Sequence, residues 1–122
     1  SVYQAWMWKR APGFCDVVCY DGTGSARTVN HNLGVVPEMM WVKNRIDNSS
    51  WGVYHKDLNG GTNPADFTLL LNSTIDQLDN AGFWNDTEPT DTVFTVGTSQ
   101  ETNGTNDGII AYLFGKLYWK LK

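Results

Sequence analysis

The chain has 122 residues, of which 41% are hydrophobic, 18% are charged and 13% are aromatic, and its formal net charge is −4. The length fits one domain over residues 1–122, the hydrophobic content excludes a disordered chain, and no apolar run is long enough for a membrane-spanning helix. No Lys or Arg lies between Asp57 and Gly115. The chain therefore lacks the clustered cations with which nucleic-acid binders displace counterions, and we expect neither a nucleic-acid partner nor membrane insertion.

Short apolar runs separated by Gly-, Pro- and Asn-rich turns predict an all-β domain. The predicted strands are 2–9, 14–20, 26–31, 38–43, 50–55, 67–71, 92–97 and 109–115. We expect them to form an antiparallel two-sheet β-sandwich that is jelly-roll-like, with a closed barrel as the less favoured alternative. At most one helical turn is expected, at 73–79, where only Ile75 and Leu78 have helical spacing.

Alternation along the second strand predicts which of its side chains face the core. Cys15, Val17 and Cys19 are expected to point inward, and Asp16 outward. The Cα atoms of the two cysteines would then lie about 13 Å apart, which is too far for a disulfide between them. We expect both to behave as small hydrophobic side chains.

Strands 3–8 and 109–114 are apolar on both faces, so each is expected to be central in its sheet or covered on both sides. They also share a pattern of Ala, aromatic, apolar and aromatic residues that begins at Ala5 and at Ala111. Two interpretations stay open. Either two strands look alike by chance, or the chain comes from a tandem array in which residues 1–10 are the last strand of a preceding repeat unit.

Three longer runs carry a more specific combination of residues. Residues 29–43 contain His-x-Leu-Gly-x-x-Pro-Glu, residues 48–56 contain Trp-x-Val-Tyr-His, and residues 107–114 read Asp-Gly-Ile-Ile-Ala-Tyr-Leu-Phe. Together these runs resemble a repeated domain of tailed-bacteriophage virion proteins, common in marine phages. The resemblance covers nearly the whole chain.

The resemblance implies a non-enzymatic structural or adhesive domain on the exterior of a virion, in a tail fibre or appendage. A head decoration (cement) protein is the alternative location. Both interpretations imply a homo-oligomer or polymer, or association with other virion proteins. The doubly apolar strands and the alternating segment 117–122 suggest a contact surface, for which the candidate residues are Trp6, Trp8, Tyr118 and Trp119.

A carbohydrate-binding module that recognises a host surface glycan is a further alternative. Trp84 could stack on a sugar ring while Asn85 and Asp86 bond its hydroxyl groups, and Trp51 could supply a second aromatic platform. The competing interpretation is structural, with Phe83 or Trp84 anchoring its loop to the core and Trp51 packing between strands.

Catalysis is not expected, because most acidic residues lie beside turn residues and no nucleophile motif is present. We expect no cofactor and no metal. Loop calcium is the alternative, since several aspartates lie in loops rich in carbonyl and amide oxygens. These residues are Asp21, Asp57, Asp86, Asp91 and Asp107. His31 lies just before a turn, where a structural role in bonding loop backbone is expected rather than a role as ligand or base.

Overall fold

A computed structural model of the chain describes residues 10–116. The strands are β1 (Cys15–Asp21), β2 (Arg27–Asn30), β3 (Met39–Asn44), β4 (Gly52–His55), β5 (Phe67–Leu70), β6 (Leu78–Asp79), β7 (Val93–Val96) and β8 (Gly108–Phe114). Two single-turn helices, α1 (Ala81–Trp84) and α2 (Gln100–Asn103), and two short 3-10 segments, Leu58–Gly61 and Pro64–Asp66, complete the elements. The predicted strand at 2–9 lies outside the described residues.

The strands form two antiparallel sheets. The large sheet has the order β1-β8-β3-β4-β5-β6, and the small sheet pairs β2 with β7. The predicted all-β, antiparallel character is therefore confirmed, and every predicted strand within residues 10–116 is present. β8, which is apolar on both faces, lies between β1 and β3, and so it is central in its sheet as expected.

One hydrophobic core receives side chains from both sheets and from α1. Its members are Val29, Leu33, Met40, Val42, Tyr54, Ala65, Phe83, Trp84, Phe94, Val96, Ile109, Ala111 and Leu113. Phe94 and Val96, two residues apart on β7, are both fully buried, because strand alternation places them on one face. The rings of Phe94 and Tyr20 are 5.9 Å apart and meet edge to face, which connects β7 to β1 of the large sheet.

The predicted facing of β1 is wrong. Val18 and Tyr20 pack against the core, whereas Cys19 is exposed. Asp16, expected to face outward, is only 4% exposed. Its carboxylate accepts a hydrogen bond from the backbone N–H of Asn32 at 2.8 Å, and the side chain of Arg10 lies 3.7 Å away. These partners satisfy the buried charge and so reverse the simple polar-outward rule.

The expectation that both cysteines are buried hydrophobic side chains is confirmed for Cys15 and wrong for Cys19, which is exposed. The two cysteines are not joined by a disulfide, as the strand spacing predicts. His31 also has the expected structural role. It is 6% exposed, its Nε2 lies 2.9 Å from the carbonyl of Thr90, and its Nδ1 accepts the N–H of Leu33 at 3.1 Å. The turn then passes through Gly34, whose φ of +83° suits glycine, before β3 begins.

No helix forms at 73–79. Ile75 is 49% exposed there, and the segment ends in β6 rather than a helical turn. The helical turn comes just afterwards at α1, where the side chain of Asn80 caps the turn by accepting the N–H of Gly82. Asn85 then ends the turn in the left-handed conformation.

Candidate functional site

The face of the large sheet that points away from the core, referred to below as the outer face, is apolar from β1 to β5. Strand register places five side chains in one row across it: Val17, Tyr112, Trp41, Val53 and Leu69. An antiparallel sheet with one solvated face normally carries polar residues on that face. The outer face is therefore the candidate interaction surface of the domain.

Aromatic rings dominate the middle of the outer face. The ring of Trp51 lies 6.2 Å from that of Tyr112 at an interplanar angle of 33°, and the ring of Trp41 meets that of Phe114 edge to face at 4.9 Å. Trp41, Trp51 and Tyr112 are each only partly buried, so part of each side chain reaches the surface. Rigid aromatic side chains supply large contact areas at low cost in conformational entropy.

The loop after β3 places a positive charge at one border of the outer face. The Lys43 ammonium donates hydrogen bonds to the carbonyls of Asn44 and Asp47, the latter at 3.1 Å. The Asp47 carboxylate accepts bonds from the hydroxyl and the N–H of Ser49. These bonds, that of the Ser49 hydroxyl foremost, hold the pKa of Asp47 below its ordinary value. The charged groups of Lys43 and Asp47 thus form hydrogen bonds within the loop itself.

The opposite end of the sheet carries a small polar recess of about 250 Å³ beside Met39 and Phe114. The Lys56 ammonium lies 3.6 Å from Glu38 and 3.4 Å from Asp57, while His55 Nδ1 accepts the N–H of Asp57 at 3.1 Å. Ion pairs this exposed stabilise a fold by about 0–1 kcal/mol each. These ion pairs place charges of both signs at this border of the apolar outer face.

The structure corrects the hypothesis that Trp84 stacks on a sugar. Trp84 is 1% exposed, and its ring meets that of Tyr54 edge to face at 6.1 Å inside the core. Neither face of the indole is open to a ligand, so the competing interpretation, that the ring anchors its loop, describes the fold. The Nε1 atom of Trp84 is buried without a hydrogen-bond partner among the described residues.

The remaining residues of the predicted glycan site do not converge. Asn85 and Asp86 are exposed and adopt left-handed φ values of 55° and 49°. Desolvation, and then the charges of Asp86 and Asp79, raise the pKa of Asp66. Trp51 lies instead on the outer face beside Tyr112, whereas Trp84 faces the core.

The remaining candidates from the sequence are the predicted contact residues and the loop aspartates considered for calcium. Trp6, Trp8, Tyr118 and Trp119 lie outside the described residues. Within residues 10–116, no group of three or more His, Cys, Asp or Glu side chains is placed to hold a metal ion. One carboxylate oxygen of Asp107, a loop aspartate considered for calcium, accepts hydrogen bonds from Asn44 and Gln100.

Sequence reasoning missed Trp41 and Tyr112 as surface residues. Tyr112 lies in a strand recognised as apolar on both faces, but no side was assigned to its ring. Trp41 lies in Met39–Asn44, which begins with four apolar residues in succession. A succession of apolar residues indicates a strand that is apolar on both faces, and this signal would have placed Trp41 on an interior strand. β3 is such a strand, since it pairs with β8 on one side and with β4 on the other.

None of the helices in the part of the chain that the structure describes is long and apolar enough to cross a membrane. Comparisons with curated proteins and with solved structures give no match. A family model described as "Domain of unknown function (DUF7483)" matches residues 8–118. The match takes in both sheets, the core and the outer face, and the chain belongs to the DUF7483 family.

Proposed function

We propose that this domain is a non-enzymatic structural or adhesive unit on the exterior of a tailed-phage virion, within a tail fibre or appendage. The virion setting is supported by the sequence resemblance carried by residues 29–43, 48–56 and 107–114. The mode of action is supported by the outer face. The domain associates through a preformed surface and needs no cofactor or metal.

The outer face carries this proposal. Both faces of β8 and β3 are apolar, and on the outer face Val17, Trp51, Leu69 and Tyr112 remain partly exposed. Contiguous apolar surface beyond a few hundred Å² usually marks an interface in soluble proteins. A domain that associates with other copies or with other virion proteins would retain such a surface, because partner contact removes it from water.

A finer description of the fold supports the same proposal. We propose that the topology derives from a jelly roll, an architecture frequent in viral structural proteins. In a jelly roll the first, eighth and third strands are neighbours in one sheet, and the second and seventh are neighbours in the other. The pairings β1-β8-β3 and β2-β7 have this order. β4, β5 and β6 extend the large sheet instead of joining β2 and β7.

A head decoration protein is the alternative location, and it would use the same surface. Immunogold electron microscopy of particles from a phage that encodes the chain distinguishes the two. Gold along fibres or appendages supports the first proposal, and gold distributed over the capsid supports the second. Particles that the antibody labels only after they have been disrupted would contradict exposure of the chain on the exterior. Particles without the chain would contradict both locations.

A second candidate function is recognition of a host surface glycan, and one observation favours it. Trp51 and Tyr112 present partly exposed rings inclined to each other at 33°, and aromatic faces can stack on sugar rings. Glycan-array binding that Trp51→Ala abolishes, and that Ile46→Ala preserves, would support it. Ile46 is the matched control because it is 69% exposed and lies in a loop. A blank array of host polysaccharides would contradict it.

A further inference from the structure

The turn before β1 reverses the chain onto the edge of the large sheet. The N–H of Phe14 donates to the carbonyl of Ala11 at 3.0 Å and closes the turn. Pro12 and Gly13 lie at its centre, and the φ of Gly13 is +75°. Proline followed by a glycine with positive φ is typical of a type II turn. Ala11 then forms an antiparallel bridge with Cys15. The backbone at Ala11 therefore runs antiparallel to β1.

Two contacts fix the register of this hairpin. The N–H of Ala11 donates to the carbonyl of Cys15 at 2.9 Å, and the N–H of Cys15 donates to the carbonyl of Ala11 at 3.0 Å. This reciprocal exchange is the hydrogen-bonded pair of an antiparallel ladder. At the next position, Nε of Arg10 lies 3.7 Å from the carboxylate of Asp16, as side chains directly opposite each other do. Each step back along the chain is thus matched by one step forward along β1.

The side of β1 that carries this hairpin also directs further backbone groups outward. Within residues 10–116, β1 is the outermost strand of the large sheet. The N–H of Gly115 donates to the carbonyl of Phe14 at 2.9 Å, so the alternation of the ladder turns the even-numbered residues of β1 towards β8. The N–H and C=O groups of Val17 and Cys19 accordingly point away from β8. An edge of this kind is a template for pairing with a further strand.

We propose that the edge of β1 is a strand-docking site and that its occupant is the segment 5–9 of the same chain. Continuing the register of the hairpin places Lys9 opposite Val17. Two residues further back, Met7 is opposite Cys19. Both are hydrogen-bonded positions of the ladder, so the segment supplies partners for the outward N–H and C=O groups of β1. Residues 5–9 include two tryptophans and neither Gly nor Pro, a composition that a strand accommodates.

The same register assigns a place to both tryptophans of the segment. Trp8 is opposite Val18, and Trp6 is opposite Tyr20. Val18 and Tyr20 are the residues of β1 that pack against the core. Cross-strand pairs of an aromatic residue with a β-branched or a second aromatic residue stabilise antiparallel sheets. The chain itself is favoured over a second copy as the occupant, because the hairpin already holds the backbone against β1 and no association entropy is lost.

A disulfide to the exposed Cys19 tests the register in the full chain. Met7→Cys places a thiol directly opposite Cys19, and the Cα separation of about 5.5 Å in a hydrogen-bonded pair suits a disulfide. Trp6→Cys and Trp8→Cys are the controls, because adjacent residues of a strand point to opposite faces. In glutathione redox buffers we expect the effective concentration of the two thiols to be at least about tenfold higher for Met7→Cys than for either control.

Hydrogen exchange of the wild-type chain is a second readout that needs no substitution. The N–H groups of Val17 and Cys19 should exchange slowly, because the docked segment bonds them. Equal effective concentrations in all three variants, disulfides that form only between two copies, or exchange at Val17 and Cys19 as fast as in an unfolded peptide would each overturn the proposal. The inference goes beyond the proposed function and does not depend on it, since the purified chain suffices for both measurements.

Discussion

The rings of Trp51 and Tyr112 meet on the outer face although their strands are not neighbours. Trp51 immediately precedes β4, Tyr112 lies on β8, and β3 separates the two strands in the sheet. Their ring centroids are nevertheless 6.2 Å apart. The two side chains lean towards each other over β3 and form a rigid aromatic platform, which is the feature that most distinguishes this surface from an ordinary solvated sheet face.

A double-mutant cycle measures this ring pair. We expect Trp51→Ala and Tyr112→Ala to show a coupling free energy of about 0.5–1.5 kcal/mol in urea unfolding, because aromatic pairs contribute this much beyond their buried area. Trp51→Ala combined with Ile75→Ala is the control pair and should be additive, since Ile75 lies in an exposed loop. Zero coupling between Trp51 and Tyr112 would show that the platform does not form.

Replacing Trp84 tests its placement in the core. Trp84→Ala should lower the free energy of unfolding by about 3–5 kcal/mol, because it removes a large buried side chain and leaves a cavity. Ile75→Ala, at a residue that is 49% exposed, should change it by no more than about 0.5 kcal/mol. Thermal or urea unfolding provides the comparison. A Trp84→Ala variant as stable as the wild type would contradict the core assignment.

The amide of Asn103 connects three segments inside the protein. Its Oδ1 accepts the N–H of Thr23 at 2.8 Å, and its Nδ2 donates to the carbonyls of Ser25 and Gly97, both at 2.7 Å. Asn103→Asp keeps the shape but replaces the donor by an acceptor that faces two carbonyls. We expect a loss of about 2–4 kcal/mol of unfolding free energy at neutral pH.

Asn30→Asp provides the matched control for Asn103→Asp, since Asn30 is exposed at the end of β2. The same change in charge should there have little effect. Asn103→Asp should also regain stability as the pH falls and the new carboxyl group becomes protonated, because the neutral acid can again donate one hydrogen bond. Equal stability of the two variants at neutral pH would contradict the hydrogen-bond network.

The two cysteines should differ in their reaction with iodoacetamide. Burial, and then the charge of Asp16, raise the pKa of Cys15, so less of the reactive thiolate is present at any given pH. Cys19 is exposed on the outer face. Mass spectrometry of the native chain should find Cys19 alkylated first and Cys15 alkylated only after denaturation. Rapid modification of Cys15 in the native chain would contradict its burial.

Much of the fold could be predicted from the sequence, because strand periodicity and turn residues are local signals. The short helices α1 and α2 were not predicted. A single turn has too few residues for an apolar stripe. Asn80 caps α1, but asparagine is also common in turns and loops, so it does not identify a helix. The facing of β1 was predicted wrongly because Asp16 is buried by a bond to Asn32, a tertiary partner that alternation along one strand cannot reveal.

The candidate site was harder to predict for a related reason. An aromatic residue beside polar loop residues, such as Trp84, has the same local sequence whether its ring binds a ligand or fills the core. Only the packing against Tyr54 decides between these possibilities. Trp51 and Tyr112 are far apart in sequence, and their contact depends on the order β8-β3-β4, which no single segment encodes.

Cryo-electron microscopy of intact particles from a phage that encodes this chain tests the proposed role most directly. We predict density for the domain on the exterior of the particle, with the outer face, centred on Trp51 and Tyr112, packed against another copy or another virion protein. Particles that lack the chain, or that display it with the outer face fully exposed to solvent, would contradict a structural unit that associates through this surface.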